Sequence, residues 1–347
     1  MGQKVKKKQN FFWIATGGTG GHIFPALSVA DELISRGHRV IISTDSRGSK
    51  HISRKNYHTC NIWASGVGAK KTIFQVLSMF KILISTVALT VRFMFFRPDK
   101  IVAFGGYSSV PVLAAGWIWG IPTFLHEQNA AIGRANKFAL RFVKTLMTSF
   151  PIGRGIYTGL PIRKEFTSVS WNPTQEFRLL ITGGSLGASI IDNVVPKAIK
   201  KLKRKIFVIH QTRPENVEKL RKIYAGMKVK NNVLSFIKNM AEELSEASLV
   251  ISRGGASTIA EMQAVGVPAI LVPLGINPDQ LANAKAFAKK GGGIVIKQKD
   301  FNADSLAKIL NNLSDNFSDS SSKLQKMAEL AYIKNTALDK IIKIIDA

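Results

Sequence analysis

Four times along the chain an apolar run of strand length gives way at once to glycines and then to a helix-compatible segment: FFWIATGGTGGH, KIVAFGGYSS, RLLITGGSLGA and SLVISRGGAST. A strand, a tight glycine turn and a helix N-terminus form the phosphate-facing half of a βαβ unit. Glycine lets the backbone approach an anion, and the first N–H groups of the helix point at it. Further apolar runs, HRVIIST, IPTFLHE, TLMTSF, KIFVIH, NVLSFI, PAILVP and GGIVIK, alternate with Lys- and Ala-rich stretches that suit helices. This alternation predicts α/β domains with mainly parallel sheets. Two glycine turns precede residue 160 and two follow it, so the chain reads as two Rossmann-like halves. Pro and Gly cluster between Pro151 and Pro161 and mark the boundary. From Asn302 onward the pattern is helical, without a strand signal.

One apolar stretch needs separate treatment. From Ile73 to Phe96 most residues are apolar, yet Lys81 and Arg92 leave ten positions between them free of charge, half of the ~20 that span hydrocarbon. It is expected not to cross a bilayer. Val76, Phe80, Leu83 and Val87 recur at i, i+4, i+7 and i+11, one face of a helix, and that face requires either a core or a lipid interface. The apolar run Phe11 to Ala15 is shorter than the roughly seven residues of a secretory signal core and reads as a first buried strand.

At 347 residues the chain exceeds the size of a single hydrophobic core, so two domains are expected. Its 49 Lys+Arg against 22 Asp+Glu give a net charge of +27, which favours polyanionic partners: nucleic acid, phosphorylated ligands or an anionic membrane surface. Nucleic acid is disfavoured, because no RNP-like aromatic motif or helix-turn-helix stands out and the basic residues are scattered. Cys60 is the lone cysteine, which excludes an intrachain disulfide and fits a reducing compartment.

The glycine turns exclude two common phosphate chemistries. None matches G-x-x-x-x-G-K-[ST], so no Walker lysine is present. None fits G-x-G-x-x-G either, and Asp45, placed like a ribose-binding acid, follows the second strand without that fingerprint. HEQNAAIG lacks the second His of a zinc site because position 130 is Ala, and no Asp-x-Asp occurs to hold a divalent ion. No metal or cofactor is expected. Ligand charge would be met by basic side chains and helix N-termini, each worth roughly half a positive charge.

Taken in order, GGTGGHIFPAL, GGYSS, HEQNAAIGRANK, GGSLGA and RGGASTIAE resemble the MurG family of UDP-N-acetylglucosamine transferases, from about Gly17 to Asn283. The resemblance implies the GT-B fold, two Rossmann-like α/β domains with parallel sheets facing a cleft. Residues 1–161 would bind the acceptor and the membrane, residues 162–331 would bind UDP-GlcNAc, and a final helix, about 332–347, would return to the first domain. The implied activity is inverting transfer of N-acetylglucosamine from UDP-GlcNAc to the MurNAc 4-hydroxyl of undecaprenyl-linked lipid I, forming lipid II in peptidoglycan synthesis. The implied setting is the cytoplasmic side of the cell inner membrane, as a peripheral protein on its anionic surface. Another GT-B enzyme acting on a lipid such as diacylglycerol is the alternative, and a basic RNA- or membrane-binding protein without catalysis is the non-enzymatic one.

The same resemblance assigns residues. His22 would be the catalytic base, directly after a glycine loop whose Gly17 and Gly18, with Tyr107 and Ser108, lie on the acceptor side. Donor contacts would come from Thr19, Gly20, Gly21, Asn129, Arg163, Ser185, Ile237, Ala256, Ser257, Thr258, Ile259, Ala260, Glu261 and Gln280. Ser185 would sit just inside a helix N-terminus. Glu261 would accept the ribose hydroxyls, and no Lys or Arg stands at 257 or 265 to claim it in an i,i+4 ion pair. His126 and Glu127 are expected to form a structural hydrogen-bonded pair. Val76, Phe80, Leu83 and Trp117 or Trp119, ringed by Lys70, Lys71 and Lys81, would meet the membrane. The chain departs from the family pattern in two places: GLPIR keeps Arg163 without the family's Asn, and NPDQLANA keeps Gln280 and Asn283 without its His.

Overall fold

The computed structural model describes residues 9–18, 20–52, 57–64, 72–184, 187–315, 317, 319 and 321–347. The chain divides into two compact units, Met1–Ile162 with Thr336–Ala347, and Arg163–Asn335.

In the first unit the strands are β1 (Phe11–Ala15), β2 (Arg39–Thr44), β3 (His58–Asn61), β4 (Lys100–Ala103), β5 (Thr123–Glu127), β6 (Thr145–Thr148) and β7 (Ile156–Tyr157). They form one parallel sheet in the order β3-β2-β1-β4-β5-β6-β7. Its helices are α1 (Gly20–Ser35), α2 (Ser46–Ile52), α3 (Thr72–Phe95), α4 (Ser109–Ile118) and α5 (Arg134–Ala139). Alternate residues of β1 serve two different cores. Phe12 and Ile14 pack with Ile23, Val29 and Leu33 of α1, whereas Trp13 and Ala15 pack with Leu89 and Phe93 of α3 and Leu113 of α4. A strand covered on both faces must be apolar at every position, hence its unbroken apolar run.

The second unit repeats the plan. Strands β8 (Arg178–Thr182), β9 (Phe207–Gln211), β10 (Lys230–Leu234), β11 (Leu249–Ser252), β12 (Ala269–Leu271) and β13 (Gly293–Val295) make a parallel sheet ordered β10-β9-β8-β11-β12-β13. Its helices are α6 (Ser189–Ile199), α7 (Val217–Gly226), α8 (Met240–Glu246), α9 (Ala256–Val265), α10 (Pro278–Lys289), α11 (Ala303–Ser314) and α12 (Lys323–Ala331). The last helix, α13 (Ala337–Asp346), belongs to the first unit, where Ile341, Ile342 and Ile345 join the core beside Phe12 and Ile14. In both units the glycine turns leave the carboxyl ends of the strands, the edge at which parallel α/β sheets bind ligands.

The sequence pattern omits two strands, β3 and β7. Both are sheet edges, where strands are short and polar or exposed, so no apolar run announces them.

Helix α3 is two-sided. Ser78, Ser85, Leu89 and Phe93 are buried, while Val76, Phe80, Leu83 and Val87 are 57 to 60% exposed, as is Trp117 at the end of α4. Trp119 instead packs against α3, donating its indole N–H to Thr90 O at 2.9 Å. By length and composition alone, Val76–Phe95 is long and apolar enough to cross a membrane, with a mean hydropathy of 1.7. Lys81 and Arg92 both fall within this stretch. Both cations lie over aromatic rings, Lys81 over Trp63 at 5.2 Å and Arg92 over Trp13 at 5.6 Å, which lowers the cost of a charge among apolar neighbours. Lys70 and Lys71 lie outside the described residues.

Candidate active site

In the first unit two glycine loops are fastened together. Ser108 donates to Thr16 O at 3.2 Å, and Ser109 donates to Ala15 O at 3.2 Å and Gly105 O at 2.7 Å. A Cβ on Gly17 would stand 1.8 Å from Ser108 Oγ and displace that hydroxyl, and Gly18 adopts φ +81°. The buried Ser108 hydroxyl thus fastens one loop to the other. Tyr107 beside it is half-buried. Thr19 lies outside the described residues, and Gly20, Gly21 and His22 form the first turn of α1. His22 is half-buried, with Cδ2 3.2 Å from where a Cβ on Gly105 would stand, and the Asn136 amide crowds the same point at 2.9 and 3.0 Å. His22, the GGYSS loop and Asn136 thus meet at one place.

Asp45, read from the sequence only as a displaced ribose acid, has a different role. It is the N-cap of α2, accepting from the backbone of Arg47 at 3.0 Å and Gly48 at 2.9 Å, and it also receives Gly18 N at 3.4 Å and Arg47 Nη2 at 2.8 Å. Burial pushes its carboxyl up, but the hydrogen bonds from Arg47, Gly48 and Gly18 outweigh burial and hold it below the ordinary carboxylate value. An Asp directly after a strand and before a helix-compatible segment was the available signal for this cap.

His126 and Glu127 are structural but are not bonded to each other, contrary to the expected pair. Adjacent residues of a strand face opposite ways. His126 Nε2 meets Gly159 O at 2.9 Å and Thr158 Oγ1 at 3.2 Å. Glu127 collects the HEQNAAIGRAN segment around itself: Oε1 accepts from Asn129 N at 2.9 Å and Asn129 Nδ2 at 3.1 Å, and Oε2 from Gly133 N at 3.0 Å and Asn136 Nδ2 at 2.7 Å. Asn129 is therefore oriented by Glu127.

Burial lowers the His126 imidazole to about 4, against the opposing hydrogen bond to Gly159. In the unfolded chain it protonates near its ordinary 6.5, so stability present above that pH is lost as pH falls from about 6.5 to about 4. The expected loss from this residue is on the order of 3 kcal/mol. Urea unfolding at pH 7 and pH 4.5 measures it, and a His126→Gln variant should show a flatter pH dependence over that window.

In the second unit α6 begins at Ser189 with Ala188 as an extended N-cap. Ser185, expected just inside a helix N-terminus, lies outside the described residues. Helix α9 opens at Ala256 after Gly255, with no side-chain cap. The half-buried Ala256, Ser257 and Thr258 form its first turn, where backbone N–H groups have no partner within the helix. Ile259 and Ala260, also expected at the donor, are buried, and Ile259 N already donates to Gly255 O at 3.0 Å. Their place one turn into the helix turns them to the core, so the structure does not bring them to the loop.

Glu261 has a cation after all, supplied from far along the chain. Arg163 Nη2 lies 3.2 Å from Glu261 Oε1 and its Nη1 2.9 Å from Glu165 Oε1. Reading only positions 257 and 265 could not reveal a partner 98 residues away. Burial pushes the Glu261 carboxyl up to about 7, partly offset by Arg163. Gln280 and Asn283 sit on α10, whose N-terminus Asn277 caps by accepting from Asp279 N at 3.0 Å and Gln280 N at 3.3 Å. Gln280 Oε1 accepts from Leu274 N at 2.9 Å, and the buried Asn283 Nδ2 donates to Gly254 O at 3.2 Å, tying α10 to the α9 loop. Ile237 has a buried side chain and borders an open pocket of ≈ 400 Å³, lined also by Phe236, Lys238, Glu242 and Arg178.

Comparison with known proteins agrees with this architecture. Residues 12–148 match the glycosyltransferase family 28 N-terminal domain, and residues 178–342 match the glycosyltransferase family 28 C-terminal domain. The UDP-N-acetylglucosamine–N-acetylmuramyl-(pentapeptide) pyrophosphoryl-undecaprenol N-acetylglucosamine transferase of Paramagnetospirillum magneticum is 35% identical over 322 residues, covering 86% of this chain and 87% of that protein. The same enzyme from Phenylobacterium zucineum is 34% identical and covers 92% of both chains. The crystal structure of MurG from Acinetobacter baumannii has a TM-score of 0.83 at 29% identity, covering 98% of this chain and 99% of that one. With both glycosyltransferase domains present, two parallel-sheet α/β units and relatives of this identity over most of its length, the chain belongs to glycosyltransferase family 28, to the MurG enzymes, and has the GT-B fold.

Proposed function

We propose that the chain transfers N-acetylglucosamine from UDP-GlcNAc to the MurNAc 4-hydroxyl of an undecaprenyl-pyrophosphoryl acceptor, lipid I, forming lipid II with inversion at the sugar. The observation that carries this reading is the meeting of Arg163 and Glu261 on α9, one turn from its N-terminus. A carboxylate suited to ribose hydroxyls, a guanidinium suited to phosphate and a helix N-terminus suited to negative charge stand together. The relatives' names supply the sugar and the acceptor. Gln280 supports sugar recognition, since its carbonyl is held by Leu274 N and its amide NH2 remains to donate elsewhere.

Inverting transfer is one displacement. The acceptor hydroxyl oxygen bonds to the anomeric carbon as the bond to the β-phosphate oxygen breaks, the electron pair leaves with UDP, and the hydroxyl proton needs a base. His22, in the first turn of α1 beside the paired glycine loops, is that base in this reading. Glu127 is not, because four donors occupy its two oxygens.

The reading is tested with an acceptor panel: purified protein and UDP-GlcNAc are offered a short-chain lipid I analogue or diacylglycerol. Transfer to the first alone is expected, and transfer to diacylglycerol alone would favour the other lipid-glycosylating reading.

Two further results are expected. If the ribose hydroxyls donate to Glu261, only its carboxylate form serves, so UDP-GlcNAc affinity should be flat well above pH 7 and weaken as pH falls through about 7. Glu261→Ala should weaken binding by ~1 to 3 kcal/mol, the scale for a lost hydrogen bond to a charged group. Calorimetric titration across pH checks both, and a pH-independent wild type would remove Glu261 from the site. For the membrane, the exposed face of Val76, Phe80, Leu83 and Trp117 supports peripheral docking on the cytoplasmic side of the inner membrane, with about 1 kcal/mol from each nearby basic residue. Flotation with liposomes should rise with anionic lipid, fall with salt and drop sharply in the double variant Phe80→Ser with Leu83→Ser. Unchanged flotation of that variant would move the docking face elsewhere.

A further inference from the structure

Each unit sets one arginine against its first glycine loop, from the same place in the topology. Arg47 follows β2, the parallel neighbour of β1, and its Nη2 lies 3.6 Å from where a Cβ on Gly18 would stand. Arg213 follows β9, the parallel neighbour of β8, and its Cγ and Nε lie 2.7 and 3.3 Å from where a Cβ on Gly187 would stand. Gly187 has φ +65°, so the arginine stem rests on a loop that both space and backbone restrict to glycine.

A buried aspartate anchors the backbone around each arginine, the first turn of α2 at Arg47 and the loop after β9 at Arg213. Asp45 holds the backbone of Arg47 and Gly48, the Arg47 guanidinium and Gly18 N. Asp192, in the first turn of α6, accepts from Thr212 Oγ1 at 2.7 Å and Asn216 Nδ2 at 3.0 Å, residues that flank Arg213. It also meets His210 Nε2 at 3.1 Å, and His210 Nδ1 meets Tyr224 OH at 2.9 Å, so the anchor reaches into the core. Yet the arginines themselves are exposed, the Arg47 side chain by 66%. Anchoring of the backbone, and for Arg47 the ion pair with Asp45, holds a planar fork at the fixed place where it can meet an anion.

We propose that Arg47 and Arg213 are matched diphosphate-binding residues, Arg47 for the pyrophosphate of the lipid acceptor and Arg213 for that of UDP-GlcNAc. The inference rests on the transferase reading above. Both residues stand beside the first glycine loop at the carboxyl edge of their sheet, the edge at which parallel α/β sheets bind ligands, and a guanidinium can give two parallel charge-assisted hydrogen bonds to phosphate oxygens. Arg213 would also stabilise the charge that grows on UDP as the glycosidic bond breaks.

The test crosses two variants with two readouts. Calorimetry compares UDP with uridine, and steady-state kinetics give the KM of a short-chain lipid I analogue. In Arg213→Ala the affinity for UDP should fall on the order of ten- to a hundredfold, with uridine affinity and acceptor KM within about twofold. In Arg47→Ala the acceptor KM should rise by a similar factor, with kcat changed much less and UDP affinity within about twofold. Each variant's unmoved readout reports intact folding, and the lysine variants should recover part of each loss. If Arg213→Ala keeps the full preference for UDP over uridine, or Arg47→Ala keeps the wild-type acceptor KM, the inference is overturned while the transferase reading stands. A wild type that binds UDP no better than uridine would overturn both.

Discussion

Replacing His22 by alanine is expected to lower kcat by on the order of 10²- to 10⁴-fold while UDP-GlcNAc affinity stays within about twofold. The expectation follows from the division of the chain. His22 belongs to the first unit, at the start of α1 and against Gly105, whereas Arg163, Glu261 and the α9 N-terminus belong to the second. An imidazole accepts the hydroxyl proton only when neutral, so kcat should decline on the acidic side. At saturating UDP-GlcNAc, ribose holds Glu261 ionised, so the acidic limb of kcat is the imidazole's and should vanish in the variant. Near-normal turnover at saturating acceptor would make His22 an α1 cap or an acceptor contact.

The second large effect concerns stability. Deleting the chain from Thr336 should leave the first unit unfolded, because α13 places Ile341, Ile342 and Ile345, all nearly fully buried, in the core with Phe12, Ile14 and Leu33. Burying one isoleucine contributes roughly 1.5 to 3 kcal/mol, so three approach the ~5 to 15 kcal/mol by which whole domains are stable. The helix is also tied by Lys100 Nζ donating to Ile345 O at 2.6 Å and by His38 against Asp346 at 3.6 Å. In the intact chain, Ile342→Ala alone should cost about 2 to 5 kcal/mol, read as a lower urea midpoint. An unchanged midpoint would mean that α13 is peripheral to the folding unit.

What the sequence made legible was set by burial. Strands β1, β4, β5, β8 and β11 announce themselves because both faces are covered and each carries a buried apolar run of at least two residues. The edge strands β3 and β7 do not, since an edge needs no apolar run. Glycine turns locate the ligand edge of each sheet, but they do not say what packs on them. That Ser108 would fasten two loops, or that Glu127 would be filled by Asn129, Gly133 and Asn136, depends on contacts between segments. The same is true of the ion pair between Arg163 and Glu261: helical spacing reports neighbours within four residues and is silent about a cation from another loop. Arg47 and Arg213 carry no motif at all, because the short turn of helix or loop that follows a strand has too few residues for a periodicity to betray a functional side chain.

The most direct measurement follows one turnover. Purified protein is mixed with UDP-GlcNAc and a lipid I analogue, the released UDP is counted, and the lipid product is characterised by mass and by NMR of its new glycosidic linkage. One UDP released per N-acetylhexosamine gained, with a β linkage at the MurNAc 4-hydroxyl, is the outcome expected of a single displacement on the lipid acceptor. UDP release without gain of sugar on the lipid, or an α-linked product, would contradict it.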